Sequence, residues 1–158
     1  MKKLLLLLCM WIALPAVAQT SDSRIPVIDA SYLKQGSSYG QLGLHFSCYD
    51  SEKFVLLAGL AGNFRSEDKK LIAIAEAQVS AWIRADESHR GLIDIPELML
   101  RPQLNFSPYY FAPEAGIQIL IFYVKAGYAF PWGKISENYP FETGKFRFSV
   151  GVSIPLKI

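Results

Sequence analysis

The chain predicts an all-β fold: an up-and-down antiparallel β-barrel of about eight strands, with the strand length and face chemistry of a transmembrane barrel. Three observations carry the prediction. Segment after segment alternates apolar with polar or small side chains, the period of a strand. Almost no helical pattern stands between them, and turn-forming clusters separate them at short intervals. The clearest segment runs from Lys145 to Lys157. Phe146, Phe148, Val150, Val152, Ile154 and Leu156 share one face, and Lys145, Arg147, Ser149, Gly151, Ser153 and Pro155 share the other.

Met1 to Ala18 reads as a secretion signal. Lys2 and Lys3 start it, Leu4 to Leu14 form its apolar stretch, and Ala16-Val17-Ala18 supplies small residues for cleavage before Gln19. The apolar stretch is short for a membrane helix, and Pro15 interrupts its end. Removal takes Lys2 and Lys3 away and leaves equal numbers of acidic and basic residues in 19–158, which is read as one domain. A neutral chain with no Lys/Arg-rich run argues against nucleic acid as a partner. Cys9 lies in the signal. Cys48 then stands alone, so no internal disulfide is expected; its parity with Leu42, Leu44 and Phe46 suggests a buried or lipid-facing thiol.

The strands follow in order. Between Ile25 and Lys34, Ile28, Ala30 and Tyr32 oppose Asp29, Ser31 and Leu33; this is the weakest candidate, and its place in the barrel is open. Gln35-Gly36-Ser37-Ser38 is a turn. Tyr39 to Tyr49 sets Leu42, Leu44, Phe46 and Cys48 against Gln41, Gly43, His45 and Ser47. A short turn at Asp50-Ser51-Glu52 leads into a strand from Phe54 to Phe64, apolar or small on both faces. The charged stretch between Arg65 and Lys70 reads as a loop. From Leu71 to Arg84, helical spacing would mix Glu76 and Arg84 into the apolar face, whereas period two does not, so a strand is predicted. The irregular stretch between Ala85 and Glu97 is expected to be a long loop.

Leu98 to Phe106 alternates again, with Met99, Arg101, Gln103 and Asn105 on the polar side, and Pro102 marks an irregularity. Ser107-Pro108 turns the chain. Tyr109 to Ile119 and Phe122 to Phe130 follow, placing Glu114 and Lys125 on polar faces. A polar loop with aromatics is expected between Gly133 and Gly144.

The polar faces favour a membrane barrel over a soluble one. They are rich in Gly, Ser and Ala with widely spaced charges, whereas a surface in water would carry many more Lys and Glu. Three acids, Asp29, Glu76 and Glu114, and three bases, Arg101, Lys125 and Arg147, fall near strand middles on that side. A balanced set suits an ion-pair network in a narrow lumen, where an unpaired charge costs several kcal/mol. Tyr39, Phe64, Phe106, Tyr109, Phe130, Trp132 and Phe146 lie near strand ends, where interfacial girdles place aromatic rings.

The signal, the alternating strands and the last segment, from Gly144 to Ile158, together resemble the small eight-stranded outer-membrane β-barrel proteins of Gram-negative bacteria. The likeness spans most of 19–158. It implies residence in the cell outer membrane, in contact with outer-membrane lipid. Such barrels usually end in an aromatic residue, and this chain ends in Ile158.

Chemistry-bearing constellations are few. His45 and Ser47 share a polar face two residues apart, and some small outer-membrane barrels are lipid-modifying hydrolases using Ser and His. Neither an orienting carboxylate nor an oxyanion donor can be assigned to the pair. Glu76 and Glu114 could be the carboxylate pair of a glycosidase, but ion pairs with Arg101, Lys125 or Arg147 account for them better. His89, with Asp86 and Glu87, lacks further ligands at metal spacing. No phosphate-binding glycine loop is present, and no cofactor or metal is expected. The expected function is therefore a non-enzymatic barrel with a plugged polar lumen. It would serve an envelope role or meet a protein partner through the loops between Arg65 and Lys70 and between Gly133 and Gly144. The alternatives are a barrel enzyme acting on envelope lipid or glycan, and a soluble, secreted, lipocalin-like barrel binding an apolar ligand.

Overall fold

The computed structural model describes residues 25–51, 53–67, 70–84, 98–132 and 141–156. The expected signal, the loop between Ala85 and Glu97 with its His89 cluster, and 133–140 lie outside the described residues.

The strands are β1 Pro26–Gln35, β2 Ser37–Asp50, β3 Phe54–Glu67, β4 Lys70–Arg84, β5 Leu98–Leu100, β6 Gln103–Phe106, β7 Tyr110–Ile119, β8 Phe122–Pro131 and β9 Lys145–Pro155. Each pairs antiparallel with its neighbours, and β9 returns to pair with β1, closing the sheet. β5 and β6 are two pieces of one wall strand, because both pair with β4 on one side and β7 on the other. The result is an up-and-down barrel of eight strands. Closure leaves no sheet edge, so no row of backbone donors and acceptors is left unpaired along the wall.

The weakest sequence candidate proves to be the closing strand. Ala30 stands opposite Leu42 on β2 and opposite Val152 on β9. The irregularity at Pro102 is the break between β5 and β6. Proline has no N–H to give; the Arg101 N–H bonds Gly116 O at 2.8 Å, and Pro102 O accepts from Ala81 N at 3.0 Å, so the wall continues through the break. Gly36 turns the chain between β1 and β2 with a φ of 68°, a region open to glycine.

Two expectations need correction. The loop expected between Arg65 and Lys70 is shorter than that: Arg65 pairs with Ile72, Ser66 with Leu71 and Glu67 with Lys70, so β3 and β4 stay paired as far as Glu67 and Lys70. Charge suggested a loop, but cross-strand pairing at the end of a barrel tolerates exposed polar side chains. Tyr39 does not belong to the exterior aromatics. It is 2% exposed, points inward and stacks on Phe141 with ring centroids 4.6 Å apart. Cys48 falls at a register shift between Ser47 and Tyr49 and is half-buried, with its Sγ 3.6 Å from Phe46 O.

The two faces differ sharply. Outside, Leu42, Leu44, Leu60, Ile117, Val124, Phe146 and Val150 are exposed; Leu60 reaches 66%. Inside, Asp29, Glu76, Arg101, Glu114, Lys125 and Arg147 are buried. Among the described residues, the exposed charged side chains, Lys34, Asp50, Lys53, Lys70, Arg84 and Lys145, all lie at strand ends or turns. Exterior rings gather near strand ends too. Tyr32, Phe64, Phe106, Phe111, Tyr128, Phe130, Trp132 and Phe146 lie toward the end that carries Gly36 and Ser107, with Phe46, Tyr49, Phe54 and Phe122 toward the end that carries Ile25 and Leu156.

Candidate functional site

The lumen holds the chemistry of this chain. Period two turns one side chain in two inward, and eight strands enclose a space that side chains can fill. Glycines on the inner side make room. A Cβ at Gly116 would come 2.0 Å from Val124 O and 2.7 Å from Lys125 Cγ, and one at Gly127 would come 2.0 Å from Pro113 O and 2.9 Å from Glu114 Cγ. The long side chains of Lys125 and Glu114 therefore lie across bare backbone.

Arg147 of β9 is the centre. Its Nη1 and Nη2 donate to Glu76 Oε1 and Oε2 at 2.7 and 2.8 Å, a bidentate pair, and its Nε donates to Glu114 Oε1 at 2.6 Å. Nη1 also donates to Gln35 Oε1 at 2.7 Å. Tyr110 OH donates to Glu76 Oε1. Glu76 Oε2 further accepts from Gln41 at 3.2 Å and Gln78 at 3.1 Å. Glu114 Oε2 accepts from Asn105 at 3.0 Å and lies 3.6 Å from Lys125 Nζ. Every oxygen of both carboxylates is therefore engaged. Bonds of this kind, with an ionised partner, are about twice as strong as neutral ones.

A second group lies toward the terminal end. Arg101 donates to Asp29 through Nη2 and to Gln118 Oε1 at 3.0 Å through Nη1. The Tyr123 ring sits under two cations, Arg101 at 4.2 Å and Lys125 at 4.7 Å from its centroid. His45 links the groups: Nε2 is 2.8 Å from Gln78 Oε1, and Nδ1 is 3.5 Å from Asp29 Oδ2. The six charged residues singled out by sequence are thus joined through Asp29–Arg101, Glu76–Arg147, Glu114–Arg147 and Glu114–Lys125 contacts. The amides of Gln35, Gln41, Asn63, Gln78, Gln103, Asn105 and Gln118 and the hydroxyl of Tyr110 complete the network. Several share the parity of the acids in sequence, which is the signal that could have placed them here.

His45 and Ser47 do not form a nucleophile–base pair in this arrangement. His45 is buried and engaged with Gln78, while Ser47 Oγ accepts from the Ile25 N–H at 3.1 Å.

Apolar side chains cap both ends of the charged zone. Leu33, Tyr39, Ile74 and Phe141 pack together at the hairpin end. Glu142 ties that cap down, its O accepting from Gln35 Nε2 at 2.6 Å and its Oε1 from Ser37 Oγ at 3.1 Å. Val27, Leu57, Trp82 and Met99 pack at the other end, below a cavity of about 570 Å³ whose lining also includes Val55, Leu120 and Ile121. Among the described residues no group of His, Cys, Asp and Glu could hold a metal. Set beside known proteins, the chain matches no protein family, no curated protein and no solved structure.

Proposed function

We propose that this chain is an outer-membrane β-barrel of the Gram-negative type, with a closed lumen and a structural or partner-binding role in the envelope. One observation carries the reading: apolar side chains cover the wall outside, and charged ones are buried inside or confined to the ends. Fully burying one Leu or Phe is worth about 1.5–3 kcal/mol, so a wall of this composition in water would be very costly. In hydrocarbon the same wall is matched, and aromatic rings near both strand ends fit the depth of the two interfaces. Strands of 10 to 15 residues in β1–β4 and β7–β9 are long enough to cross at a tilt.

The non-enzymatic part rests on the lumen. Glu76 and Glu114 are buried, and each of their oxygens contacts Arg147, Lys125, Tyr110 or an amide, which favours an ion-pair role over a substrate-facing one. A partner would meet the polar residues at the end of the β3–β4 pair, Ser66 and Lys70, and those leading into β9, Glu142 and Lys145.

Membrane fractionation with heat-modifiable gel mobility tests the location. Recovery in the outer membrane, resistant to carbonate and shifting on boiling, is expected; recovery in the aqueous periplasm would overturn the proposal. Separate His45→Ala and Glu76→Gln variants, assayed for outer-membrane lipid composition, test the role. Unchanged lipids are expected, and an altered lipid profile in correctly inserted protein would favour the enzyme alternative.

A further inference from the structure

The register of β1, β2 and β3 leaves a slot in the outer wall. Gly40 stands directly opposite Tyr32 on one side and Phe64 on the other. All three are exposed on the exterior, Tyr32 at 47% and Phe64 at 36%. The two rings turn away from the gap in opposite directions. Tyr32 reaches up to Ser38, its hydroxyl 2.8 Å from Ser38 Oγ. Phe64 folds down over Gly62, where an added Cβ would lie 2.6 Å from Phe64 Cζ. A Cβ added at Gly40 would meet nothing within 4 Å. The opening measures about 420 Å³.

The level next above the slot has different chemistry. Lys34 faces Ser38 across the β1–β2 pair. Ser38 and Ser66, each two residues beyond the facing Gly40 and Phe64, carry that row across β2 and β3. Lys34, Ser38 and Ser66 are all exposed, and no acid among the described residues pairs with Lys34. An opening bordered by Tyr32 and Phe64 thus lies below Lys34, Ser38 and Ser66, with Arg65 also in its lining. That order, hydrocarbon below and phosphate-binding groups above, is the order within a lipid molecule lying against a membrane wall.

We infer that this slot holds one acyl chain of an anionic phospholipid, with its phosphate at Lys34, Ser38 and Ser66. The inference rests on the membrane reading above, since it needs hydrocarbon at the wall. Tyr32 and Phe64 border the opening on the neighbouring strands, Gly40 lets the chain approach the backbone, and Lys34 selects for the negative headgroup. Gly40→Leu fills the slot from the wall itself, and open space at that position leaves the barrel free to fold.

The test uses the mature protein in mixed phosphatidylglycerol and phosphatidylcholine vesicles and nanodiscs. Flotation with vesicles comes first, and a protein that stays in the aqueous layer defeats the membrane reading and this site with it. For protein that floats, native mass spectrometry on release from nanodiscs is expected to show one retained phosphatidylglycerol per barrel, in preference to phosphatidylcholine. Gly40→Leu, confirmed as folded by heat-modifiable mobility, is expected to lose it. Lys34→Gln is expected to lower retention about fivefold, the worth of one cation near an anionic headgroup. If wild type and both variants float and retain the two lipids alike, the site is wrong while the membrane reading stands. A Gly40→Leu chain that fails to fold leaves the decision to Lys34→Gln and the lipid preference of the wild type, either of which can reject the site.

Discussion

Arg147 holds Glu76 with both terminal nitrogens and Glu114 with its Nε, so one guanidinium bridges carboxylates from two strands that the β5–β6 wall strand separates. β9 supplies the base, and β4 and β7 supply the acids. The contact is wholly removed from solvent, with side-chain exposures of 0% for all three. Such a triad ties distant strands together, and its value lies in being complete.

Arg147→Met leaves two buried carboxylates short of a partner. We expect a loss of about 3–5 kcal/mol, read as a lower denaturant midpoint for unfolding from lipid vesicles. Adding Glu76→Gln to the same chain should restore part of that loss, because the uncompensated Glu76 charge goes while Glu114 keeps Lys125 as its partner. Equal stability of Arg147→Met and wild type would show that the network is not what holds the lumen.

Leu44 lies mid-strand on the exterior, between Ile28 and Leu60 on the neighbouring strands. In hydrocarbon, Leu44→Arg should cost about 2–4 kcal/mol, measured by reversible folding into vesicles. Lys53→Ala, near the end of β3, should stay within about 0.5 kcal/mol. A Leu44→Arg protein that folds as well as wild type, or becomes more soluble without lipid, would contradict a wall facing lipid.

Gly127 and Gly40 are both strand glycines, yet they should respond oppositely to alanine. A Cβ at Gly127 runs into Pro113 O and Glu114, and one at Gly40 meets open space. Gly127→Ala should cost about 1–3 kcal/mol through overpacking and reduce the folded band on unboiled gels. Gly40→Ala should leave that band unchanged. Identical behaviour of the two variants would mean that the inner wall can shift to accept a methyl group.

The lumen is filled at several depths, so the protein should show no steady large openings in planar bilayers. Phe141→Ala removes the ring stacked on Tyr39 at the hairpin end and should destabilise the cap, but the Arg147 network beneath still blocks the path. Sustained conductance in wild type would refute the plugged lumen. Sustained conductance in Phe141→Ala alone would place the seal at the cap.

Much of the wall was legible because strand side chains alternate strictly. Period two assigned Leu71, Ala73 and Ala75 to one face and Glu76 and Gln78 to the other, and the burial of β4 follows that division. Local chemistry misled where a neighbour in space outweighed it. The charges between Arg65 and Lys70 resembled a loop, yet the ladder continues to Glu67 and Lys70. Tyr39 looked like a girdle residue by its place near a strand end, but it shares the inward parity of Gln41 and His45, and Phe141, distant in sequence, completes its packing.

Alternation along the chain by itself determined which side chains lie together on each face, since a strand admits only two directions for them. The chemistry of those faces also made charge the content of one side and hydrocarbon the content of the other. Only the closed sheet decided which acid meets which base. Partners such as Asp29 and Arg101, or Glu76 and Arg147, belong to strands that are not adjacent, and their meeting depends on closure through β1 and β9 and on the stagger accumulated around the wall. No spacing along one strand encodes that stagger, because it is set by pairing between strands.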